Sequence, residues 1–401
     1  MENIDNNAAY NRGGKYIMNT YSRLPVVFSK ASMQYLWDVE GKKYLDFIAG
    51  YGCLNVGHSN KAVVKALQKQ VSALIQPSNV YYNMPQIELA RRICEITGFG
   101  QKVFFANSGT ESIEAALKLA RKYSEDKYDS QRYEVITFKR SFHGRTMGAL
   151  SATAQPEKQK MFQPLLKGFL YGELNNIDSV KELISEKTCA VMLEPVQGES
   201  GVYPADVQFM KELRDLCTQK DILLILDEVQ TGFARTGKIF AYENYNIQPD
   251  ILVLAKSLGG GMPIGAIVAN DEISSSFAPG MHGSTFGGNA ASCAAAIAVI
   301  DYIKDNDLAR RSAELGRYLL KGLNKLKDKY GIIKEVRGMG LMAAIELKEP
   351  LAAKIIEDGL SDGLVLNRVS DYTLRFLPPL IIKKVNIDYL LKWLNKKIGE
   401  T

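Results

Sequence analysis

Between residue 102 and about residue 290, short unbroken apolar runs alternate with longer segments whose apolar positions recur every three or four residues. Residues 103–106, 135–138, 190–194, 222–226 and 251–254 are almost wholly apolar and predict buried strands, while 110–123 and 206–219 predict helices with one apolar face. Strand and helix in turn predict an α/β layer with a mostly parallel sheet. Upstream, 34–38 and 43–47 flank a Glu40-Gly41 turn and read as a hairpin. Val63, Val64, Leu67, Val71 and Leu74 make a helical stripe over 61–74, and a second helix spans 85–97 and stops at Gly98. Residues 291–303 read as a buried helix and 307–329 as an amphipathic one, followed by short strand- and helix-like pieces. Residues 1–18 are polar and Asn-rich and predict a loose arm. This divides the chain into an N-terminal part of a smaller unit (1–55), a large α/β unit (56–300) and a C-terminal α+β part of the smaller unit (301–401).

Composition narrows the classes of function. A chain of 401 residues exceeds one ordinary core, which agrees with two units. The formal charge of +6 arises from 50 basic and 44 acidic side chains that are interspersed, so nucleic acid is not implied. Cys53, Cys94, Cys189, Cys217 and Cys293 are scattered without a Cys-x-x-Cys pair and predict reduced packing residues. Three histidines, none at a ligand spacing, argue against a metal site. With no span of membrane length and a polar start, a cytoplasmic protein is expected.

Candidate chemistry gathers at the predicted strand ends. Lys256 stands at the exit of the 251–254 strand, followed by Gly259, Gly260 and Gly261, which let the backbone turn and another group come close. Asp227 ends the apolar 222–226 run, and in an open α/β sheet ligands bind at that end. Asn107-Ser108-Gly109-Thr110-Glu111 joins a strand to a helix and offers N–H groups and hydroxyls at a positive helix end, suited to phosphate. Ser141-Phe142-His143-Gly144-Arg145-Thr146 places an aromatic ring and an arginine in one turn. Arg375, in Leu374-Arg375-Phe376, is a guanidinium in an apolar setting and needs an anion. Taken singly, each has a plain alternative: a surface lysine, a helix cap, a structural ion pair.

Together these pieces resemble the class III (ω-amino) aminotransferases of fold type I, which use pyridoxal 5'-phosphate. The matching stretches are Asn107-Ser-Gly-Thr-Glu, Phe142-His-Gly-Arg-Thr, Glu194-Pro-Val-Gln-Gly-Glu199, Leu226-Asp-Glu-Val-Gln-Thr-Gly232, Ala255-Lys-Ser-Leu-Gly-Gly-Gly261 and His282-Gly-Ser-Thr-Phe-Gly-Gly-Asn289. The resemblance implies that Lys256 forms the Schiff base, that Asp227 pairs with the pyridine nitrogen, and that Phe142 and Val229 sandwich the ring with Gln230 near its hydroxyl. It implies that Ser108, Gly109 and Thr110 cradle the phosphate, completed by Thr285 from a second subunit, hence a homodimer with shared sites. For substrates it implies Arg145 on the carboxylate of the ω-amine donor, Arg375 on the α-carboxylate of glutamate or 2-oxoglutarate, Glu199 neutralising Arg375 in between, and Tyr21 near the substrate carboxylate.

Within the class, the chain is most similar to the acetylornithine aminotransferases, which implies transfer of the δ-amino group of N-acetylornithine to 2-oxoglutarate. Tyr51, in Gly50-Tyr51-Gly52-Cys53, resembles instead the ornithine δ-aminotransferases, whereas His143 follows the acetylornithine pattern. Ornithine or another ω-amino acid is therefore the alternative donor. An aminomutase of the same fold is the alternative chemistry, and it would lack the Arg375–Glu199 switch.

Overall fold

The computed structural model describes residues 5–128 and 132–400. Its centre is a seven-stranded sheet in the order Lys102–Ala106, Gly265–Ala269, Ile251–Leu254, Leu223–Asp227, Thr188–Leu193, Glu134–Phe138, Phe169–Gly172. All strands run the same way except Gly265–Ala269, which is antiparallel to both neighbours. The strand interiors are almost wholly apolar because both faces are covered, and alternate side chains serve opposite faces. Leu224, Leu226, Leu252 and Leu254 join one core with Phe209, Met210 and Leu213 of the helix Val207–Lys220. Ile225, Ile251 and Val253 join the other with Ile113, Ala116 and Ala120 of the helix Gly109–Tyr128.

Two predicted features come out differently. The segment expected to be a loose arm contains the helix Asn6–Tyr16. Asp5 caps it by accepting from the N–H of Ala8 at 2.7 Å, and Asn6 docks it by accepting from the N–H of Val27 at 2.8 Å. No side chain of this helix is buried, so no apolar stripe announced it; caps and polar docking hold it. The strand Gly265–Ala269 also went unpredicted, since Pro263 and four nearby glycines marked the region as a turn. Gly265 is needed there: a β-carbon would lie 2.5 Å from the Ser108 carbonyl oxygen. The helix predicted over 61–74 stops at Val71.

Of the remaining strands, Val196–Gln197 and Tyr203–Pro204 pair as a two-stranded ribbon, and the others form two four-stranded sheets. Phe28–Ser32, Tyr35–Asp38 and Lys43–Asp46 form a meander whose last strand pairs in parallel with Leu364–Val365 from the C-terminal part. Ile333–Met339, Met342–Leu347, Thr373–Phe376 and Asn367–Ser370 form the other. We propose that residues 1–55 and 301–401 act as one smaller unit around 56–300, a division that the Lys43–Asp46 to Leu364–Val365 pairing supports.

Arg235 ties these parts together. Its fully buried guanidinium donates to the carbonyls of Leu341 (2.8 Å) and Pro378 (2.6 Å) and to the side-chain oxygen of Asn55. Burial drives its pKa down to about 9, so the charge is held by hydrogen bonds and not by a close carboxylate. Arg235→Ala strands three buried acceptors, and each costs about 1–3 kcal/mol when unpaired. Urea denaturation is expected to show a loss of at least about 3 kcal/mol; a loss below about 1 kcal/mol would mean that Arg235 does not clamp the parts.

Candidate active site

The loops that carry Ser108–Thr110, Phe142–Arg145, Glu199, Gln230 and Lys256 leave the sheet at the carboxyl ends of its parallel strands. The Leu223–Asp227 and Ile251–Leu254 strands pair in parallel with Asp227 beside Val253, so Asp227 and Lys256 emerge as neighbours. The 141–146 loop follows Glu134–Phe138 at the same end, and Glu194 follows Thr188–Leu193. Asp227 is buried, with one carboxylate oxygen accepting from the N–H of Val229 at 3.0 Å and the other 2.7 Å from Nδ1 of His143. Lys256 has φ of +43°, a left-handed backbone that a lysine adopts only when its surroundings impose it. The surroundings here are the Gly259–Gly261 turn and the Ser257 hydroxyl, which donates to the carbonyl of Gly52 at 2.5 Å. Half-buried Lys256 makes no hydrogen bond or ion pair among the described residues.

Ser108 and the helix Gly109–Tyr128 present N–H groups toward the same end of the sheet. Gly109 is packed against Val229, where a β-carbon would come within 2.9 Å of its side chain. The hydroxyl of Thr110 accepts from the N–H groups of Arg145 (3.1 Å) and Thr146 (3.2 Å) and lies 3.0 Å from the Thr146 hydroxyl. Thr146 in turn donates to Glu114 at 2.6 Å, so in this arrangement the Thr110 proton goes to Thr146. What Thr110 offers an anion is thus its backbone N–H, while its side chain fixes the 141–146 loop against the helix start.

On the other side lies Arg375, fully buried in the Thr373–Phe376 strand. It donates to Glu199 (2.8 Å), to the Gly198 carbonyl (2.8 Å) and through Nε to Asn367 (3.0 Å). Gln230 donates to the same Glu199 oxygen at 3.1 Å. Burial opposes the charge on Glu199, but Arg375, Lys256 and the hydrogen bonds outweigh it and hold its pKa at about 2. The pair is therefore ionised at neutral pH, and Nη2 of Arg375 remains buried without a partner. The Tyr51 ring stands 5.5 Å from this guanidinium, and the exposed Arg145 stands 5.6 Å from the ring of Phe142.

The structure thus gathers Lys256, Asp227, Val229, Gln230, Ser108, Gly109, Thr110, Phe142, Arg145, Glu199, Arg375 and Tyr51 at one end of the sheet. Tyr21 and Thr285 stand apart from this group. Tyr21 is 71% exposed and meets the guanidinium of Arg23, and Thr285 is exposed on the 281–289 loop. Residues that the sequence reading left without a role are His143, which holds Asp227, Asn367, which holds Arg375, and Glu194. The first had a usable signal, because a histidine following a buried apolar strand needs a partner once it is buried itself. The donor set fits pyridoxal 5'-phosphate: a carboxylate for a cationic ring nitrogen, an unpaired amine for an aldehyde, and a helix start for a phosphate.

Glu194 joins the two sides. Its oxygens accept from the N–H groups of Phe142 (2.9 Å) and Gly198 (3.3 Å). Burial raises its pKa to about 7 against the pull of His143; Asp227 adds to the rise and the two N–H bonds oppose it. A carboxyl with a raised folded pKa contributes stability that is complete below its ordinary value, about 4.3, and is lost as pH rises through about 7. Urea midpoints of wild type and Glu194→Gln at pH 5 and pH 8 are expected to show the wild type losing ground at the higher pH, by on the order of 1–3 kcal/mol. A difference that does not change with pH would place the Glu194 pKa near its ordinary value.

Comparison with known proteins agrees with this geometry. The family pattern "Aminotransferase class-III" matches residues 16–398. The chain is 48% identical to the acetylornithine aminotransferase of Caldanaerobacter subterraneus subsp. tengcongensis, covering 96% of this chain and 98% of that one. It is 47% identical to that of Methanocaldococcus jannaschii, covering 96% of each. Among solved structures, the acetylornithine aminotransferase of Elizabethkingia anophelis superposes with a TM-score of 0.90 at 34% identity, covering 99% of this chain and 100% of that one. The ornithine aminotransferase of Toxoplasma gondii, with PLP at its active site, superposes with a TM-score of 0.96 at 31% identity, covering 100% and 95%. The chain belongs to the class III aminotransferases, which use pyridoxal 5'-phosphate.

Proposed function

We infer that this enzyme moves the δ-amino group of N2-acetyl-L-ornithine to 2-oxoglutarate in two half-reactions, giving N-acetylglutamate semialdehyde and glutamate, a step of arginine biosynthesis. The names borne by the relatives identify the donor. The observation that carries the two-substrate chemistry is the buried Arg375–Glu199 pair beside Lys256. With Glu199 in place, Arg375 is neutralised and the site accepts a donor that brings no carboxylate there. With Glu199 displaced, the guanidinium fork takes the α-carboxylate of glutamate or 2-oxoglutarate two bonds at a time. An aminomutase has no use for such a switch.

Bound pyridoxal 5'-phosphate supplies the electron sink for cleaving the bond to the amine-bearing carbon. Lys256 would hold it covalently and, once displaced, carry the proton between substrate and cofactor carbons. Asp227, aimed by His143 and the Val229 N–H, would keep the ring nitrogen protonated. Phe142 and Val229 would hold the ring faces, Gln230 would lie by the ring hydroxyl, and N–H groups of Ser108, Gly109 and Thr110 would take the phosphate. Arg145 would bind the carboxylate of the donor, and Tyr21 would lie near it.

We also propose a homodimer. Val80 (83% exposed), Tyr82 (89%) and Phe286 (62%) belong to adjoining segments, joined where Asn79 donates to the carbonyls of Ser284 (2.7 Å) and Gly287 (2.9 Å). An apolar patch of this kind supports an interface, and Thr285 within it would reach the partner's phosphate site. Among the described residues no helix is long and apolar enough to cross a membrane; a cytoplasmic location is part of this proposal.

Ornithine is the second reading, favoured by Tyr51 beside Arg375. Following the cofactor's visible band without any oxo acid separates the two donors. N-acetylornithine is expected to bleach it at least tenfold more efficiently than ornithine, and the reverse order would move the enzyme to the ornithine group. Lys256→Ala is expected to bind cofactor without a covalent link and to lose transamination, at least about a thousandfold. Near-normal turnover would sink the role given to Lys256.

A further inference from the structure

Two cations share one ring on the donor side of the site, and among the described residues neither is in a direct ion pair. The Arg145 guanidinium lies 5.6 Å and the Lys158 ammonium 5.7 Å from the centre of the Phe142 ring. Among the described residues Arg145 makes no side-chain hydrogen bond or ion pair, and the Lys158 ammonium donates to the neutral amide oxygen of Gln155. Lys158 is half-buried, and burial followed by the charge of Arg145 pulls its pKa down. The anions that act on it, Glu199 and Glu194, are already held by Arg375 and Gln230 and by two backbone N–H groups. Two like charges gathered without an anion leave a positive field that a ligand has to satisfy.

We propose that Lys158 is a specificity residue: with Arg145 it attracts the α-carboxylate of the donor and rejects a donor whose neighbouring α-amine is a free ammonium, so that only an acylated α-amine is accepted well. This rests on the donor assigned above. An acylated nitrogen is uncharged and its carbonyl oxygen can accept from the Lys158 ammonium, whereas the ammonium of ornithine would be a third cation in one small region. At about 6 Å, with an effective dielectric between that of a protein surface and water, one such repulsion amounts to a discrimination of roughly 5–50-fold.

The test follows the donor half-reaction spectroscopically in wild type, Lys158→Met, Lys158→Arg and Lys158→Glu holoenzymes, with N-acetylornithine, ornithine and glutamate in separate runs. The ratio of kcat/KM for N-acetylornithine to that for ornithine is expected to fall 5–50-fold in Lys158→Met, mainly through KM, to fall further in Lys158→Glu, and to be kept within about threefold in Lys158→Arg. Glutamate, whose carboxylate falls to Arg375, is expected to lose less than N-acetylornithine. An unchanged ratio, or equal losses for all three substrates, would overturn the proposal. Wild type that prefers N-acetylornithine while the ratio stays fixed would defeat the role of Lys158 and leave the donor assignment standing. Wild type that prefers ornithine would defeat the donor assignment and this proposal with it.

Discussion

A guanidinium removed from water must be met by a negative charge or by a full set of acceptors, and Arg375 imposes this requirement on the whole active site. Its partners come from three separate parts of the chain: Glu199 and the Gly198 carbonyl after the Thr188–Leu193 strand, Gln230 after the Leu223–Asp227 strand, and Asn367 from the C-terminal sheet. The strand that carries Arg375 belongs to the small C-terminal sheet, so the pair forms only when that sheet is docked on the large one. Docking is secured by a second buried arginine, Arg235, which has carbonyl and amide partners and no close carboxylate. One arginine is thus held by neutral acceptors and serves structure. The other is held by a carboxylate, and the proposed exchange of substrates rests on that carboxylate moving aside.

The large sheet supplies rigidity under this pair. Strands covered on both faces leave their ends as the place where the backbone may turn irregularly, and the irregular features cluster there: the positive φ of Lys256, the close packing of Gly109 on Val229, and Gly265 against the Ser108 carbonyl. Each close approach holds the phosphate loop and the lysine in a fixed relation. Thr110, whose hydroxyl is consumed by the 141–146 loop, extends the same bracing to Phe142 and Arg145. Glu194 then links Phe142 to Gly198, so that the ring-holding side and the Arg375 side share one carboxylate.

The charge layout is asymmetric across the site. On the Arg375 side cation and anion are paired, and in the proposed reaction a dicarboxylate displaces Glu199. On the Arg145 side the cations of Arg145 and Lys158 form no ion pair, and the proposed donor preference rests on that arrangement. In the proposed function this asymmetry lets one pocket serve two half-reactions that bring different charge patterns.

Much of this was legible in the sequence, for a physical reason. A strand buried on both faces has to be apolar at every position, so the runs at 222–226 and 251–254 declared themselves, and the charged residues at their ends, Asp227 and Lys256, stood out against them. The Asn107–Glu111 and Phe142–Thr146 stretches were visible because the phosphate and ring binding proposed for them calls for particular small and aromatic residues close together in the chain. What depends on residues far apart in sequence was not legible. The 2.7 Å contact of His143 with Asp227, the hold of Asn367 on Arg375 and the placing of Lys158 beside Arg145 are consequences of how loops meet after the sheets pack. The helix Asn6–Tyr16 and the strand Gly265–Ala269 escaped for the same reason, since polar docking shapes the first and a neighbouring backbone shapes the second. Local pattern decided the elements and the identity of the reacting groups; only tertiary packing decided which charges are paired, because pairing is a property of distance in space.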